Sequence, residues 1–192
     1  RIRLVGEIIH NPHVNQRIRD MGMDFIQPDG HGAFDFSDLT EQDVVILPAF
    51  GVTVQDLAAL REIGCVLVDT TCGSVLLVWK RVESYARDGF TAVIHGKHYH
   101  EESRATASQV RNHEDGRYII VLNMEEADLI CDYMARRPNR LSREAFMQHF
   151  QGKTTEGFDP DLHLQKIGVA NQTTMLANES LAIGARIREA MV

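Results

Sequence analysis

The sequence predicts an α/β fold with mainly parallel sheets. Short runs of aliphatic and β-branched residues alternate along the chain with longer segments of helical periodicity. Several short runs are continuously apolar instead of alternating in polarity, which is typical of strands covered by helices on both faces. With a hydrophobic content of 44% over 192 residues, the chain can build one large or two small domains around a sizeable core.

The predicted elements follow a βαβα order. The predicted strands cover residues 2–5, 44–47, 65–68, 91–94, 118–121 and 166–169. The predicted helices cover residues 12–21, 54–63, 74–87, 102–110, 125–134 and 179–191. The first helix has a clear start, because Asn11 supplies a capping side chain and Pro12 suits the first helical position. Alternation of this kind indicates parallel strands joined by helices.

Residues 136–161 interrupt this alternation. They contain two prolines and two glycines around one amphipathic segment, residues 142–150. We expect a surface-facing insertion that acts as a long crossover connection. A boundary between two α/β units is expected near residues 70–74, so that a first lobe covers residues 1–71 and a second lobe covers residues 72–192.

Charge and hydropathy exclude several classes of function. A net charge of −7 argues against a general nucleic-acid or membrane surface, so an anionic ligand needs a local cluster of His, Lys or helix N-termini. The longest apolar runs are too short to span a bilayer. No signal or transit peptide is recognisable, and the chain opens inside a predicted strand without a methionine. We therefore expect a fragment of a longer protein.

Residues 95–102 are unusually rich in titratable side chains, with three histidines, one lysine and two adjacent glutamates. They directly follow a predicted strand, at the edge where open α/β sheets bind ligands. Histidine and lysine there can bind an anion, with a carboxylate nearby for proton transfer. Zinc binding by His95, His98 and His100 is an alternative, although their spacing is unlike that of paired zinc ligands. Solvated surface charge is the other alternative.

The three cysteines are not equivalent. They do not form an even set and include no CxxC pair, so disulfides are not expected. Cys65 and Cys131 lie in apolar segments and are interpreted as reduced thiols. Cys72 falls at the start of a predicted helix, where backbone N–H groups stabilise the thiolate that binds metal or attacks electrophiles. The alternative for Cys72 is a small residue at a tight strand–helix turn.

Two further polar segments follow predicted strands. His10 precedes a helix start, where it can bind phosphate or carboxylate or simply cap the helix. Residues 171–174 carry amides and hydroxyls that can orient a polar ligand or serve only as turn residues. Because the carboxyl ends of parallel strands share one edge, we expect all the polar segments to lie along that edge.

Five segments, in order, resemble the 4-hydroxy-3-methylbut-2-enyl diphosphate reductase family (LytB/IspH). They run through nearly the whole chain, and two more segments are similar to its plant and cyanobacterial branch, Cys131-Asp132-Tyr133 and Glu156-Gly157-Phe158-Asp159-Pro160-Asp161. The five segments are Glu7-Ile8-Ile9-His10-Asn11-Pro12, Leu47-Pro48-Ala49-Phe50-Gly51, Asp69-Thr70-Thr71-Cys72, His95-Gly96-Lys97 with His100-Glu101-Glu102, and Ala170-Asn171-Gln172-Thr173-Thr174-Met175.

The resemblance implies a trefoil-like parent fold of three α/β lobes around a 4Fe–4S cluster held by three cysteines. It also implies a two-electron reductive dehydroxylation of an allylic diphosphate to isopentenyl and dimethylallyl diphosphate. The electron donor would be a protein such as ferredoxin or flavodoxin, and neither nucleic acid nor membrane would be a partner. The expected location is the bacterial cytoplasm, or the plastid stroma for a plant protein.

The resemblance also implies roles for individual residues. Cys72 matches one cluster ligand, and Glu102 matches the glutamate that delivers a proton to the leaving hydroxyl. His10 and His100 match histidines that contact the substrate diphosphate. Thr173 matches a threonine near that glutamate and the substrate.

The chain departs from the family pattern in several places. Phe50 stands where many bacterial members have histidine, as it does in the plant-like branch, and Gly73 replaces a common proline. The resemblance places the other two cluster cysteines, a Ser-Ser-Asn segment and the third lobe outside residues 1–192, so we expect the fragment alone to be inactive. The competing hypotheses are a non-redox α/β module that binds a phosphorylated metabolite and a zinc hydrolase.

Overall fold

Two compact units make up the chain, Arg1–Leu76 and Leu77–Val192. The computed structural model describes residues 1–191, so Val192, the end of the predicted second lobe, lies outside the described residues. Each unit is built around its own sheet, and all strands pair in parallel within each sheet. The predicted α/β class with mainly parallel sheets is confirmed.

The first unit contains a four-stranded sheet in the order β2-β1-β3-β4. Helix α1, Pro12–Asp20, connects β1 to β2, and helix α2, Val54–Ile63, connects β3 to β4. The strands are β1 (Ile2–Val5), β2 (Asp24–Ile26), β3 (Val44–Leu47) and β4 (Val66–Asp69).

Local sequence explains where these helices begin and end. Asn11 caps α1 by accepting hydrogen bonds from two backbone N–H groups, and Pro12 occupies the first turn as predicted. Thr53 caps α2, which ends at Gly64 in the left-handed conformation, with a φ of 78°. The core between sheet and helices includes Leu60, which is fully buried.

The second unit contains a three-stranded sheet in the order β6-β5-β7. Its strands are β5 (Thr91–His95), β6 (Arg117–Val121) and β7 (Ile167–Asn171). Ile94 lies opposite Ile120 on one side and Ala170 on the other, and every residue of β5 is buried. The helices are α3 (Gly73–Arg87), which starts in the first unit, α4 (Glu101–Ser108), α5 (Met124–Met134), α6 (Arg143–His149), α7 (Pro160–His163) and α8 (Ala177–Ala190).

Residues 136–161 are mostly exposed, but three aromatic side chains of this segment are buried. Phe146 and Phe150 are fully buried in the main core of this unit, and Phe158 is nearly so. Burying each of these rings contributes roughly 1.5–3 kcal/mol. The segment also covers the outer edge of β6, where the Ile120 N–H donates to the Lys153 carbonyl at 2.8 Å. Protecting an edge strand in this way prevents pairing with other chains.

Two further differences from the sequence prediction concern strands. Strand β2 was not predicted, because three residues that begin with an aspartate carry no recognisable period. Strand β4 is not covered on both faces, since Val66 and Val68 are 56% and 41% exposed. The place of β4 at the edge of the sheet accounts for this exposure. The central strand β5 is buried on both faces, as the sequence predicts. The other boundaries differ from the prediction by a few residues at most.

Candidate functional site

The predicted polar segments divide between two sheet edges and do not share one. His10 and Cys72 follow strands of the first sheet, while His100, Glu102 and Thr173 follow strands of the second. In each sheet the strand order reverses once, between β1 and β3 and between β5 and β7. A reversal opens a crevice outside the carboxyl ends of the two strands, which is the usual ligand position in open α/β sheets.

Backbone hydrogen bonds join the three loops at the carboxyl edge of the first sheet. The Ala49 N–H, after β3, donates to the Ile8 carbonyl, after β1, at 2.9 Å. The Ala49 carbonyl in turn accepts from the Cys72 N–H, after β4, at 2.8 Å. Thr70 adds a side-chain hydrogen bond from its hydroxyl to the Leu47 carbonyl at 2.5 Å. Cys72 is therefore held in place by main-chain contacts.

His10 is exposed and stacks on Phe50. The two rings are nearly parallel, 9° apart in orientation, and their centroids lie 4.7 Å apart. Nδ1 of His10 also lies 3.5 Å from a Glu7 carboxylate oxygen. Buried Asn15 steadies the loop by donating to the Ile9 carbonyl at 2.8 Å. Phe50 thus orients His10, a role that the sequence did not reveal.

Cys72 is the exposed cysteine and stands at the N-terminus of a long helix. Its carbonyl accepts the first helical hydrogen bond, from Leu76, at 3.0 Å. The helix dipole at such a position stabilises a thiolate. The exposed thiol therefore fits one cysteine ligand of a metal cluster by its chemistry and accessibility.

Cys65 and Cys131 have the opposite environment. Both are buried, and each thiol donates to a backbone carbonyl, that of Leu60 at 3.5 Å and that of Arg186 at 3.7 Å. Burial raises the pKa of the Cys65 thiol and of the Cys131 thiol above the ordinary cysteine value. This environment matches their interpretation as reduced structural thiols.

At the carboxyl edge of the second sheet, Glu102 and Thr173 are brought together. The Glu102 side chain is buried, and its Oε1 accepts the Thr173 backbone N–H at 2.5 Å. These residues are 71 positions apart in sequence, and each follows one of the two strands at the reversal point. A buried carboxyl group held by a main-chain N–H is fixed in position, as a proton donor must be.

His100 caps helix α4. Its Nδ1 accepts the Glu102 backbone N–H at 3.1 Å, so Nδ1 carries a lone pair and the ring proton lies on Nε2. An Nε2–H group can donate to an anionic oxygen. The Glu101 carboxylate lies 4.0 Å from Nδ1, too far for a hydrogen bond.

The remaining residues of the 95–102 cluster have separate environments. His95 is fully buried, and its Nδ1 lies 2.8 Å from the Ser180 hydroxyl. His98 packs edge-on against exposed Tyr99, with 5.4 Å between ring centroids. Among the described residues, His95, His98 and His100 do not form a group whose ligand atoms lie within 4.8 Å of one another, so the structure does not favour zinc binding by these three histidines.

Gln172 makes side-chain contacts that sequence reasoning missed. It is buried, and its Oε1 accepts from the Lys97 N–H at 3.1 Å and the Ser103 hydroxyl at 3.0 Å. Gly96 makes this approach possible, since a Cβ there would lie 2.5 Å from the Ser103 hydroxyl oxygen. The polar run of residues 171–174 marked Gln172 as a candidate, but its partners lie 75 and 69 positions away.

Comparison with known proteins identifies the family. The family model described as LytB protein matches residues 1–192. This chain belongs to the LytB protein family. The predicted resemblance is thereby confirmed.

Curated LytB relatives carry the name 4-hydroxy-3-methylbut-2-enyl diphosphate reductase. The protein from Gloeobacter violaceus is 48% identical, covering 98% of this chain and 44% of the relative. The protein from Synechococcus sp. strain RCC307 is 52% identical, covering 96% and 43%. A chloroplastic protein from Botryococcus braunii is 45% identical, covering 100% and 36%. The chain thus spans less than half the length of these relatives.

Two solved structures share the fold. A structure described as (E)-4-hydroxy-3-methyl-but-2-enyl diphosphate reductase, the terminal enzyme of the non-mevalonate pathway, superposes with a TM-score of 0.65 at 23% identity, covering 98% of this chain and 53% of the other. The Plasmodium falciparum reductase gives a TM-score of 0.67 at 18% identity, covering 98% and 46%. The family is consistent with an iron–sulfur cofactor.

Proposed function

We propose that the protein containing this chain is a 4-hydroxy-3-methylbut-2-enyl diphosphate reductase. The names of relatives about 50% identical support the activity. Within the chain, the observation that carries the proposal is the buried Glu102 carboxyl group, held by the Thr173 N–H beside His100 at the carboxyl edge of the second sheet.

The reaction needs a proton donor. Reductive dehydroxylation replaces the hydroxyl of the allylic alcohol by hydrogen, with two electrons and two protons consumed and one water released. Hydroxide is a poor leaving group, so a proton must reach the departing oxygen as the C–O bond breaks. Glu102 is the residue to which we assign this proton, because its carboxyl group is fixed and shielded from bulk water.

Cys72 supplies one ligand of the cofactor. When bound, a 4Fe–4S cluster supplies the two electrons and the Lewis acidity that this chemistry requires. Cys72 fits this role as an exposed thiol at a helix N-terminus, whereas Cys65 and Cys131 are buried and donate to carbonyls. The other two ligands would come from parts of the protein outside residues 1–192.

His10 and His100 are proposed to bind the substrate diphosphate. A chain with a net charge of −7 needs local hydrogen-bond donors to hold such an anion. His10 presents an exposed ring fixed by stacking on Phe50, and His100 presents Nε2–H. Thr173 is assigned to the substrate side of Glu102, because its main-chain N–H already contacts that carboxylate.

The organisation of the whole protein follows the same proposal. Residues 1–71 and 72–192 would form most of the first lobe and the second lobe of a three-lobed protein, with the third lobe outside this chain. The electron donor would be ferredoxin, flavodoxin or a similar small redox protein. Among residues 1–191, none of the helices combines the length and apolar character that crossing a bilayer requires. Bacterial and chloroplastic relatives support a location in the bacterial cytoplasm or the plastid stroma.

The test is an anaerobic assay of the full-length protein after reconstitution with iron and sulfide. The substrate is (E)-4-hydroxy-3-methylbut-2-enyl diphosphate, with a chemical one-electron donor in excess. We expect about four irons per chain and conversion to isopentenyl and dimethylallyl diphosphate. Binding of the diphosphate without iron and without turnover would instead favour the non-redox binding module.

The 192-residue chain is the matched control for this assay. It contains one of the three proposed cysteine ligands, so we expect it to hold no stable cluster and to show no turnover. Turnover by this chain at the rate of the full-length protein would contradict the proposed ligand set.

A further inference from the structure

His95 is a buried histidine to which the proposed function assigns no role. It is the last residue of β5 and is fully buried at the carboxyl edge of the second sheet. Its Nδ1 lies 2.8 Å from the Ser180 hydroxyl, 85 positions away in sequence. Its Nε2 has no hydrogen-bond partner among the described residues and lies 3.8 Å from a Glu179 carboxylate oxygen.

The partner of His95 lies in the first turn of helix α8. Leu176, at the N-cap position, provides no side-chain cap. The Ser180 hydroxyl lies 3.2 Å from the Leu176 carbonyl, to which it can only donate. The direction of its 2.8 Å hydrogen bond with Nδ1 of His95 depends on the ring tautomer. His95 therefore ties the end of β5 to the start of α8.

The short connection between β7 and α8 is anchored at both ends. At its beginning, the Gln172 N–H donates to the His95 carbonyl at 2.8 Å, and the Gln172 side chain contacts Lys97 and Ser103. At its end, Ser180 contacts the His95 ring. Thr173 lies between these anchors and donates its N–H to Glu102.

We propose that His95 is a positioning residue for Glu102. It fixes the first turn of α8, and thereby the 172–176 connection, so that the Thr173 N–H holds the Glu102 carboxyl group in one orientation. The catalytic part of this inference rests on the proposed reductase function, because it assigns His95 an effect on proton delivery. The structural part concerns the 172–176 connection alone.

The electrostatic environment favours a neutral His95 ring. Burial lowers its pKa below the ordinary histidine value, and the Glu179 carboxylate opposes this effect only in part. The interaction with the Leu122 backbone also raises the pKa of His95, but by less than burial lowers it. A neutral ring keeps its hydrogen bond with the Ser180 hydroxyl in either tautomer.

The structural part is tested by hydrogen–deuterium exchange of the full-length protein. His95→Leu and Ser180→Ala remove the two sides of the contact, while His95→Asn keeps a hydrogen-bonding group near the Nδ1 position. Ser142→Ala is the matched control, because it removes a capping hydroxyl from α6 in the same unit. We expect exchange of the 171–176 peptide to rise roughly tenfold in the first two variants, and far less in His95→Asn and Ser142→Ala. Unchanged exchange in folded His95→Leu protein would overturn the proposal.

The catalytic part is tested by kinetics in two backgrounds. In otherwise wild-type protein, we expect Ser180→Ala and His95→Leu to lower kcat roughly 10- to 100-fold, with KM nearly unchanged and partial recovery in His95→Asn. In a Glu102→Gln background, the same changes should have little further effect, since they act through Glu102. An equal fall in both backgrounds would show that His95 supports the structure without positioning Glu102.

These two experiments separate this inference from the proposed function. If wild-type protein with full iron content shows no reductase turnover, the proposed function fails and the positioning of Glu102 for catalysis fails with it. The exchange measurement requires no activity and still decides whether His95 anchors the 172–176 connection.

Discussion

The carboxyl edges of the two sheets differ in how they hold reactive side chains. In the first unit, His10 and Cys72 are exposed, and main-chain hydrogen bonds between loops fix the backbone beneath them. In the second unit, Glu102 is buried, and side chains that follow β5 and β7 interlock around it. One edge thus presents groups outward, whereas the other encloses its central carboxyl group.

This difference matches the two kinds of chemistry proposed. A cluster ligand and a diphosphate-binding histidine must be accessible to the groups that they bind. A proton donor must instead keep one orientation and stay away from bulk water. Two sheets of the same α/β type can therefore carry an exposed ligand-binding edge and an enclosed proton donor. The side chains that follow each strand decide whether the strand end is exposed or buried.

The largest expected effect is at the exposed edge. Cys72→Ser in the full-length protein should abolish stable iron binding and reduce turnover to background. This loss exceeds the roughly 10- to 100-fold fall in metal affinity or activity that is typical when a residue next to a metal ligand is replaced. Cys65→Ala is the matched control in the same unit, and its iron content should equal that of wild type. Iron content and turnover are measured for both variants. Full iron content in Cys72→Ser would contradict the assignment of Cys72 as a cluster ligand at the exposed edge.

The next effect concerns the core behind the enclosed edge. Phe150→Ala removes a fully buried ring contributed by the 136–161 segment, so the free energy of unfolding should fall by about 3–5 kcal/mol. Leu162→Ala is the control, because this leucine is 63% exposed and its loss should change stability by less than about 0.5 kcal/mol. Denaturant unfolding measures both. Equal stability of the two variants would mean that the segment is peripheral after all.

A smaller effect should appear at the His10–Phe50 stack. Phe50→Leu keeps an apolar side chain but removes the aromatic contact, which is worth about 0.5–1.5 kcal/mol. If the stack orients His10 for the diphosphate, the dissociation constant of the substrate should rise roughly two- to tenfold. Phe36→Leu is the control, because Phe36 packs against the core of the same unit, and it should leave the dissociation constant of the substrate unchanged. Isothermal titration measures this binding, and identical affinities would remove Phe50 from the site.

The smallest effect is a pH dependence of stability. Because the folded-state pKa of His95 lies below its unfolded value, the unfolded chain binds more protons as the pH falls below about 6.5. The free energy of unfolding should therefore fall with pH in this range. His163 has a lowered pKa as well, so His95→Asn should reduce the dependence without removing it. Urea unfolding at several pH values measures the slope, and an unchanged slope in His95→Asn would contradict the assigned environment.

The sequence predicted the parts of the fold that local pattern controls. The long apolar run of β5 and the Asn11-Pro12 helix start were recognisable because periodicity and capping act over a few residues. The burial of Phe146 and Phe150 was not predicted, because their spacing of four residues defines an apolar face without showing what covers it.

For the candidate site, too, the sequence predicted the local features but not the long-range contacts. The strand ends placed Glu102 and Thr173 at one edge, and the family resemblance suggested their roles. The contacts of Gln172 and of His95 with Ser180 join residues 69 to 85 positions apart, and no local signal reports them. The stacking of Phe50 on His10 also depends on two loops that meet only in the folded sheet.

The central claim is that Glu102 delivers the proton in a reaction whose electrons come from a cluster held in part by Cys72. The most direct test is product formation by Glu102→Gln full-length protein whose iron content equals that of wild type. We predict that the wild-type protein forms isopentenyl and dimethylallyl diphosphate and that the variant is slower by about 100-fold or more. Wild-type rates from the iron-loaded variant would contradict the account.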